Sequence, residues 1–458
     1  MSTITFHGGA GTVTGANFML DTGNPPAGGK ILIDCGILQR ESPPGGGCDT
    51  VNRSPFPYDA RTVDALIVTH AHADHIGRIP RLVRDGFKGE IYSTAATKDL
   101  AALMFADALG IMRSDAERHE CEMLYGQEDA NRALSLWHTR GYHEPLEMGD
   151  TKMEFLDAGH ILGSAMVRVT HGAGSVIFTG DIGNSPEPLL NDTESPEGAQ
   201  YLVMESVYGD RVHEGRSERR EHLRAVIEET RGRRGTLLIP SFSIERTQIL
   251  LYELNAMLED GTMQPIPVYL DAPLGIEVTE IFRKYKNLLN PAAQERFAHG
   301  DPFSFQHLTL TRHTGESEAI HKAPGPKIII AGAGMSGGGR IRAHEKHYLG
   351  DKHATLFFVG YQTPGTLGRR IQDGEKRLEI DGEHVRVRAR IETLSGYSGH
   401  ADRDQLLSFV EQAGESLKKV FVTMGEPKSS LFLAQRIKDF LGVDAVVPEA
   451  GASFDIEL

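Results

Sequence analysis

Residues 68–77 (VTHAHADHIG) constrain this chain more than any other stretch of its sequence. Four side chains that can bind a metal lie within six positions there: His70, His72, Asp74 and His75. The apolar and β-branched residues 65–69 come directly before them and predict a buried strand. The cluster therefore lies where a strand ends and a loop begins, a usual place for chemistry on a rigid scaffold. Imidazoles and a carboxylate at this density favour Zn²⁺ or a similar divalent ion.

Other apolar segments also end on a polar side chain. The residues concerned are Asp34, His160, Asp181 and Glu205. Any one of these side chains alone could be a helix cap or a turn residue. Together they predict one edge of a sheet, or of two facing sheets, at which Asp, His and Glu side chains converge.

Composition narrows the choice of fold and compartment. A chain of 458 residues predicts two domains or three. No Cys-x-x-Cys pair is present, which argues against a thiolate zinc site. The first residues do not resemble a secretion signal, and no apolar run is long enough to span a membrane, so we expect a cytoplasmic protein. The net charge of -15 argues mildly against a nucleic-acid partner, although bound divalent ions would offset carboxylates that hold them.

The pattern changes near residue 209 to regular alternation of strands and helices, which is typical of a parallel, doubly wound sheet. Period-2 alternation returns at residues 384–391 and leads to His400. We therefore predict an inserted second domain, with 1–208 and 384–458 as the two parts of the first domain and 209–383 as the insertion.

A glycine-rich turn at residues 332–337 matches G-x-G-x-x-G after a strand. A dinucleotide site would require an acidic residue at the end of the next strand, and residues 359–361 have none. The turn therefore favours phosphate contacts from its backbone N–H groups, with Ser336 and Gly337 as the expected residues.

The set of His70, His72, Asp74 and His75, followed by His160 and Asp181, resembles the metallo-β-lactamase superfamily. Two further segments are similar to the extra motifs of its β-CASP branch: residues 204–210, which contain Glu205, and residues 396–401, which contain His400. The most similar members are bacterial and archaeal RNA-processing nucleases related to the pre-mRNA 3′-end cleavage factor and to RNase J. The resemblance runs from about residue 4 to the end of the chain. It implies a metallo-β-lactamase αββα sandwich with an inserted β-CASP domain built on a parallel α/β sheet.

The resemblance also implies roles for individual residues. His70, His72 and His160 would hold one zinc ion, Asp74 and His75 a second, and Asp181 would bridge the two. Asp34 would orient a ligand or the water. His400 would be the general acid, and Glu205 would orient it. Asp34 and Asp74 are also among the expected catalytic residues. Met424 stands where RNA-cleaving members usually have a histidine ligand, so the second ion is short of one ligand.

The activity implied is hydrolysis of RNA phosphodiesters by attack of metal-activated hydroxide on phosphorus, with single-stranded RNA as the partner and DNA as the alternative. No membrane partner is expected, and the resemblance allows a homodimer. Two other functions remain open: a hydrolase of DNA or of a smaller phosphoester, and a nucleic-acid-binding subunit that does not cleave. The expected substrate-binding residues lie in three stretches of the insertion: Ser243, Arg246, Ser336, Gly337, Tyr361, Gln362, Gly365 and Thr366.

Overall fold

The computed structural model describes residues 1–23, 28–39, 49–213, 215, 218–363 and 365–458. The chain divides into two compact units. The first unit contains residues 1–212 and 400–458, and the second contains residues 213–399. Among the described residues, no helix has both the length and the apolar character needed to cross a bilayer.

Two seven-stranded sheets form the first unit. The first sheet contains, in spatial order, β22 (Ser453–Ile456), β1 (Ser2–Gly8), β2 (Asn17–Asp21), β3 (Lys30–Ile33), β4 (Ala65–Ile67), β5 (Glu90–Ser93) and β6 (Trp137–Thr139). The second sheet contains β21 (Asp444–Val446), β20 (Lys419–Val422), β11 (Tyr201–Met204), β10 (Gly174–Phe178), β9 (Ala165–His171), β8 (Thr151–Asp157) and β7 (Leu146–Met148).

Strand direction brings the ends of several strands together at one edge of each sheet. In the first sheet, β3, β4 and β5 are parallel to one another. In the second sheet, β10, β11 and β20 are parallel, and β8 has the same direction because it is antiparallel to β9, which is antiparallel to β10. The carboxyl ends of parallel strands meet at the same edge, so the loops after these strands are neighbours.

The side chains of the second sheet alternate between two apolar layers. Val176 and Phe178 of β10 lie in the core between the two sheets, together with Phe6 and Ile33 of the first sheet. Ile177, between them in sequence, lies in the outer layer with residues of the C-terminal helices. The helices of this unit are α1 (Thr50–Arg53), α2 (Ala73–Ile76), α3 (Ile79–Arg84), α4 (Ala95–His119), α5 (Gln127–Ser135), α13 (Arg403–Gln412) and α14 (Pro427–Arg436). The predicted αββα sandwich is thereby confirmed.

The second unit is built on a six-stranded sheet whose neighbouring strands are all parallel. Its spatial order is β14 (Leu308–Leu310), β13 (Val268–Asp271), β15 (Lys327–Ala331), β12 (Thr236–Pro240), β16 (Thr355–Phe358) and β19 (Arg390–Thr393). The helices are α6 (Arg219–Gly232), α7 (Arg246–Glu259), α8 (Pro273–Lys284), α9 (Pro291–His299), α10 (Thr314–Lys322), α11 (Ile341–Tyr348) and α12 (Leu367–Gln372). The predicted strand–helix alternation therefore forms a parallel α/β sheet.

The second compact unit extends beyond the predicted end of the insertion at residue 383. Strand β18 (Glu383–Arg386) pairs with β17 (Arg377–Ile380) in a hairpin, and β19 pairs with β16 at the edge of the six-stranded sheet. The period-2 alternation at residues 384–391 thus belongs to strands of the second unit. Residue 400 begins the return to the first unit.

Candidate metal centre

The first loop of the site follows β4 and contains His70, His72, Asp74 and His75. His72 is the N-cap residue of α2, and the short helix contains Asp74 and His75. The loop is anchored to its surroundings by backbone hydrogen bonds, because the N–H groups of Ala16 and Cys35 donate to the carbonyls of Asp74 and His75. Four polar side chains are therefore presented in six residues on a fixed backbone.

His160 and Asp181 reach the same place from the second sheet. His160 lies in the loop after β8, and its backbone N–H donates to Ser164 Oγ. Asp181 follows β10, with Gly180 in a left-handed conformation at φ 54°. An ideal Cβ on Gly180 would lie 2.7 Å from Thr69 Oγ1, so only glycine lets this turn approach the β4 loop without strain.

Four ligand atoms face one another in this cluster. His72 Nδ1 lies 3.2 Å from His70 Nε2 and 3.2 Å from His160 Nε2. Asp181 Oδ2 lies 3.3 Å from His70 Nε2 and 3.5 Å from His160 Nε2. A tetrahedral zinc ion with bonds of about 2.0–2.1 Å separates its ligand atoms by about 3.3–3.4 Å. The spacing of these four atoms therefore fits a zinc-sized ion.

The charge state of the imidazoles also suits a metal. Burial lowers the pKa of His70, His72 and His160. Neutral imidazole is the form that binds a metal, and a buried cluster of neutral nitrogens around one carboxylate is well matched to a divalent cation.

A second set of atoms lies on the other side of Asp181. His75 Nε2 and Asp181 Oδ1 are 3.4 Å apart, and both are buried with no hydrogen-bond partner among the described residues. A buried polar atom without a partner costs free energy, and one cation between these two atoms would satisfy both. Burial lowers the pKa of His75, but the Asp181 and Asp34 carboxylates outweigh it and raise that pKa well above its usual value. Burial also raises the pKa of Asp74, the other expected ligand.

Asp34 contacts two residues of the β4 loop, Thr69 and His75. Its Oδ2 lies 2.7 Å from His75 Nδ1 and accepts a hydrogen bond from the Thr69 hydroxyl at 2.8 Å. Its Oδ1 accepts from the Thr69 backbone N–H at 2.8 Å. A carboxylate at the remaining ring nitrogen fixes the orientation of a ligating histidine. Sequence reasoning missed Thr69, although its place directly before His70 was a usable signal.

Met424 is packed as a core residue. It is 2% exposed and lies in the apolar core between the two sheets. Its N–H donates to the Gly9 carbonyl at 2.7 Å, and its Sδ packs against Gly9. Position 424 is therefore part of the core packing of this chain.

His400 and Glu205 form a pair beside the cluster. His400 Nδ1 lies 3.1 Å from Glu205 Oε1 and 4.0 Å from Asp181 Oδ2. The Ile182 N–H donates to the same Glu205 oxygen at 2.7 Å, which fixes the carboxylate. Burial lowers the pKa of His400, but Glu205 outweighs it and raises that pKa to about 9. His400 is therefore a protonated donor near neutral pH, with its side chain 23% exposed.

The expected substrate-binding residues all belong to the second unit, and three of them are buried: Arg246, Ser336 and Gln362. Arg246 is buried and donates to the Tyr397 carbonyl at 2.7 Å. The Ser336 hydroxyl donates to Glu345, and the Gln362 amide donates to the carbonyls of Gly334 and Gly360. The remaining five are half-buried or exposed: Ser243, Gly337, Tyr361, Gly365 and Thr366.

Comparison with known families matches three models to successive parts of this chain. The model described as the metallo-beta-lactamase superfamily matches residues 12–240. The beta-Casp domain matches residues 247–371, and the Zn-dependent metallo-hydrolase RNA specificity domain matches residues 384–448. The beta-Casp match lies within the second unit, and the last match begins in the second unit and ends in the first.

Several proteins are similar to this chain over most of its length. Ribonuclease TTHA0252 from Thermus thermophilus is 37% identical over 430 residues, covering 93% of this chain and 94% of the relative. The transcription termination factor FttA from Methanocaldococcus jannaschii is 33% identical over 445 residues, covering 92% of this chain and 67% of the relative. A crystal structure of a protein of unknown function from Enterococcus faecalis shares the fold at 13% identity, with a TM-score of 0.57 and 99% of both chains covered. The chain therefore belongs to the β-CASP branch of the metallo-β-lactamase superfamily.

Proposed function

We propose that this protein is a metal-dependent ribonuclease that hydrolyses phosphodiester bonds of single-stranded RNA. One observation carries the chemistry: ligand atoms of His70, His72, His160 and Asp181 converge with neighbouring distances of 3.2–3.5 Å, and the His400–Glu205 pair lies beside them. The choice of RNA is supported by the ribonuclease and the termination factor to which the chain is similar, and by the RNA specificity domain that matches residues 384–448.

Zinc is the proposed metal, with two ions. His70, His72, His160 and Asp181 Oδ2 would hold the first, and Asp181 Oδ1, His75 and Asp74 the second. A divalent ion bound there makes water nucleophilic near neutral pH and offsets the charge of the phosphate. Asp34 and Thr69 hold His75 in its orientation.

His400 is the proposed general acid. Its Nδ1 lies 3.1 Å from Glu205 Oε1, and its imidazole is the group proposed to donate a proton to the leaving oxygen of the substrate. Burial raises the pKa of Glu205, whereas His400 and the hydrogen bond from the Ile182 backbone favour its charged form. As a carboxylate, Glu205 favours the protonated imidazole of His400. Proton donation and metal binding are thereby assigned to different side chains.

Contacts to the RNA backbone are proposed for the loops after β12 and β15 in the second unit. These strands are neighbours in the sheet, and an ideal Cβ on Gly332 would lie 3.9 Å from Ser243 Oγ, so the two loops are adjacent. The hydroxyl of Ser243 and the backbone N–H of Gly337 are the proposed phosphate donors. Arg246, Ser336 and Gln362 shape these loops from inside, and Tyr361, Gly365 and Thr366 lie in the following loop.

The function is tested by incubating the purified protein with end-labelled single-stranded RNA and DNA, with zinc and with a chelator. We expect zinc-dependent cleavage of RNA. The matched variant is His72→Ala, which removes the nitrogen shared by two of the short ligand contacts and should lose both zinc and cleavage. Cleavage of DNA alone would identify a deoxyribonuclease, and RNA binding without cleavage at full zinc content would identify a non-cleaving subunit.

The same preparation addresses the state of assembly. We propose a homodimer as the active form, and sedimentation equilibrium at the concentration of the cleavage assay checks it. A single species at the mass of one chain, with full activity, would contradict the dimer.

A further inference from the structure

A cluster of three histidines and one carboxylate lies in the second unit, on three elements that the proposed reaction does not use. We call Asp271, His321, His344 and His347 the peripheral histidine cluster. Asp271 is the last residue of β13, His321 lies near the end of α10, and His344 and His347 lie on α11. His344 is fully buried, His321 is half-buried and His347 is exposed.

Asp271 fixes the orientation of His344. Its Oδ2 lies 2.8 Å from His344 Nε2. The same carboxylate accepts hydrogen bonds from Thr311, Ser317 and Arg340. Burial raises the pKa of Asp271, but these hydrogen bonds outweigh it and hold the pKa well below its usual range. In the tautomer that donates from Nε2 to this carboxylate, the lone pair of His344 lies on Nδ1, on the other side of the ring.

This lone pair faces the ring of His321. His344 Nδ1 and His321 Nε2 are 3.0 Å apart, with ring centroids at 5.0 Å and planes at 90°. At the metal centre of the first unit, His70 and His72 have their nitrogens 3.2 Å apart, centroids at 5.0 Å and planes at 87°. The two pairs therefore share one geometry, and in the peripheral pair a carboxylate supports one ring, as in a carboxylate–histidine–metal arrangement.

His347 supplies a third imidazole at the surface. It lies three residues after His344, so the two side chains share one face of α11. Its ring is parallel to that of His321, with a centroid separation of 4.2 Å and an interplanar angle of 1°. In this stacked arrangement the lone pairs of His321 and His347 lie in parallel planes and do not point at one ion. Binding therefore requires the His347 ring to turn out of the stack, which its exposure allows without disturbing the core.

We propose that His321, His344 and His347 form a second metal site, separate from the proposed catalytic centre, for an imidazole-binding ion of the zinc class. Asp271 orients His344 and does not itself bind the ion. Zinc accepts three histidines with water as the fourth ligand, and imidazole suits zinc, nickel and copper better than magnesium or calcium. A bound ion would link α10 to α11. Because Asp271 contacts both His344 and Arg340, it would connect the site to the turn that ends at residue 340.

The charges around the site determine its strength. Burial lowers the pKa of His321 to about 4 and lowers that of His347, and the Lys327 ammonium adds to both effects. Both rings are therefore neutral near pH 7, the state that binds a metal. The same ammonium, which donates to the carbonyls of Ile320 and Ala323, opposes a divalent cation. We therefore expect weaker binding here than at the carboxylate-containing cluster of the first unit.

The test counts zinc per chain by mass spectrometry after equilibrium dialysis of the full-length protein against micromolar free zinc. We expect His321→Ala and His347→Ala each to hold one zinc fewer than the wild type. The matched control is His353→Ala, an exposed histidine of the same unit, which should keep the wild-type count. RNA cleavage, measured on the same samples, should persist in all three variants.

A second measurement does not depend on any variant. Zinc-edge anomalous diffraction from wild-type crystals grown with zinc should give a peak between His321 and His344. Equal zinc counts in the wild type and both variants, or no anomalous peak there, would show that the two rings form only a hydrogen bond. Absence of RNA cleavage in the wild type would instead count against the proposed function and leave the zinc count readable.

Discussion

At the scale of single residues, the pair formed by His400 and Glu205 separates proton transfer from metal binding. His400→Ala removes the proposed proton donor and leaves the four-atom ligand cluster intact. We expect RNA cleavage to fall about 10²–10⁴-fold with zinc content unchanged, because general acids contribute about that much. Single-turnover cleavage of labelled RNA, with zinc counted by mass spectrometry, measures both quantities.

A substrate that does not need an acid provides the control. Bis(p-nitrophenyl) phosphate has a leaving group that departs without protonation, so its hydrolysis should fall much less in His400→Ala than RNA cleavage does. Equal losses for the two substrates would remove proton donation from the role of His400. Loss of zinc from His400→Ala would instead identify His400 as a metal ligand.

Met424 is a second residue at which chemistry and packing can be separated. Its side chain lies in the apolar core, so Met424→Leu should keep zinc content and cleavage and cost less than about 1.5 kcal/mol of stability. Met424→Ala leaves a cavity and should cost about 2–5 kcal/mol in denaturant unfolding, again with zinc retained. A lower zinc count in the leucine variant would show that the thioether does reach a metal.

At the scale of elements, the position of α2 depends on the absence of a side chain at Gly36. An ideal Cβ there would lie 1.5 Å from the Asp74 carbonyl oxygen and 2.7 Å from the His75 nitrogen. Gly36→Ala must therefore displace α2, which contains Asp74 and His75. We expect weaker zinc binding and at least a tenfold loss of cleavage, measured by zinc titration and by initial rates.

The matched change is Gly110→Ala in the exposed face of α4. An added Cβ there meets nothing within 4 Å, and the helix gains about 0.5–1 kcal/mol because alanine is the better helix former. That variant should bind zinc and cleave RNA like the wild type. If Gly36→Ala behaved in the same way, the close approach of residue 36 to α2 would have no consequence for the site.

Helix α11 is tied to the glycine-rich turn after β15 by Glu345, which accepts a hydrogen bond from Ser336. Burial raises the pKa of Glu345 from 4.5 to about 8. Between those values the unfolded chain releases a proton that the folded chain keeps, so stability is greatest below about pH 4.5 and falls as pH rises through 8. In the wild type, the free energy of unfolding should fall by about a few kcal/mol between about pH 5 and about pH 9 because of this group. Glu345→Gln should abolish that fall.

To check this expectation, the urea unfolding midpoint of the variant is compared with that of the wild type at several pH values. Glu318→Gln, an exposed residue of α10, is the control and should follow the wild-type curve. A Glu345→Gln variant whose pH dependence matched the wild type would show that the carboxyl group ionises freely in the folded protein.

Sequence patterns predicted those features of the site that depend on one strand and the residues after it. The β4 loop holds four candidate ligands within six positions, and His160, Asp181 and Glu205 each follow a strand that runs in the same direction in one sheet. Parallel strand ends meet at one edge, so their convergence followed from the strand pattern.

Other features depend on contacts that sequence spacing does not encode. Asp271, His321 and His344 come from three elements, and no pattern relates their positions. Alternation at residues 384–391 indicated strands, but it could not show that β19 pairs with β16 in the second unit. At Met424 the residue type indicated a missing ligand, whereas its burial against Gly9 depends on the backbone of two distant segments.

At the scale of the whole molecule, a metal at the centre would join the two sheets of the first unit. Its proposed ligands come from the loop after β4 in one sheet and from the loops after β8 and β10 in the other. Without the ion, the buried carboxylate of Asp181 keeps only its contacts with the neighbouring imidazoles. Chelation should therefore lower the unfolding temperature, and zinc should restore it, with about 1.4 kcal/mol gained for each tenfold rise in free zinc above the dissociation constant.

Differential scanning calorimetry of the wild type and two variants assigns this effect to one site. His72→Ala should unfold at nearly the same temperature with zinc and with chelator, because its main cluster is broken. His321→Ala should keep most of the response, because the peripheral histidine cluster is the weaker site and joins only α10 to α11. A wild-type unfolding temperature indifferent to chelator would mean that the sheets are held together by apolar packing alone, and the ligand cluster would then serve catalysis without contributing to the fold.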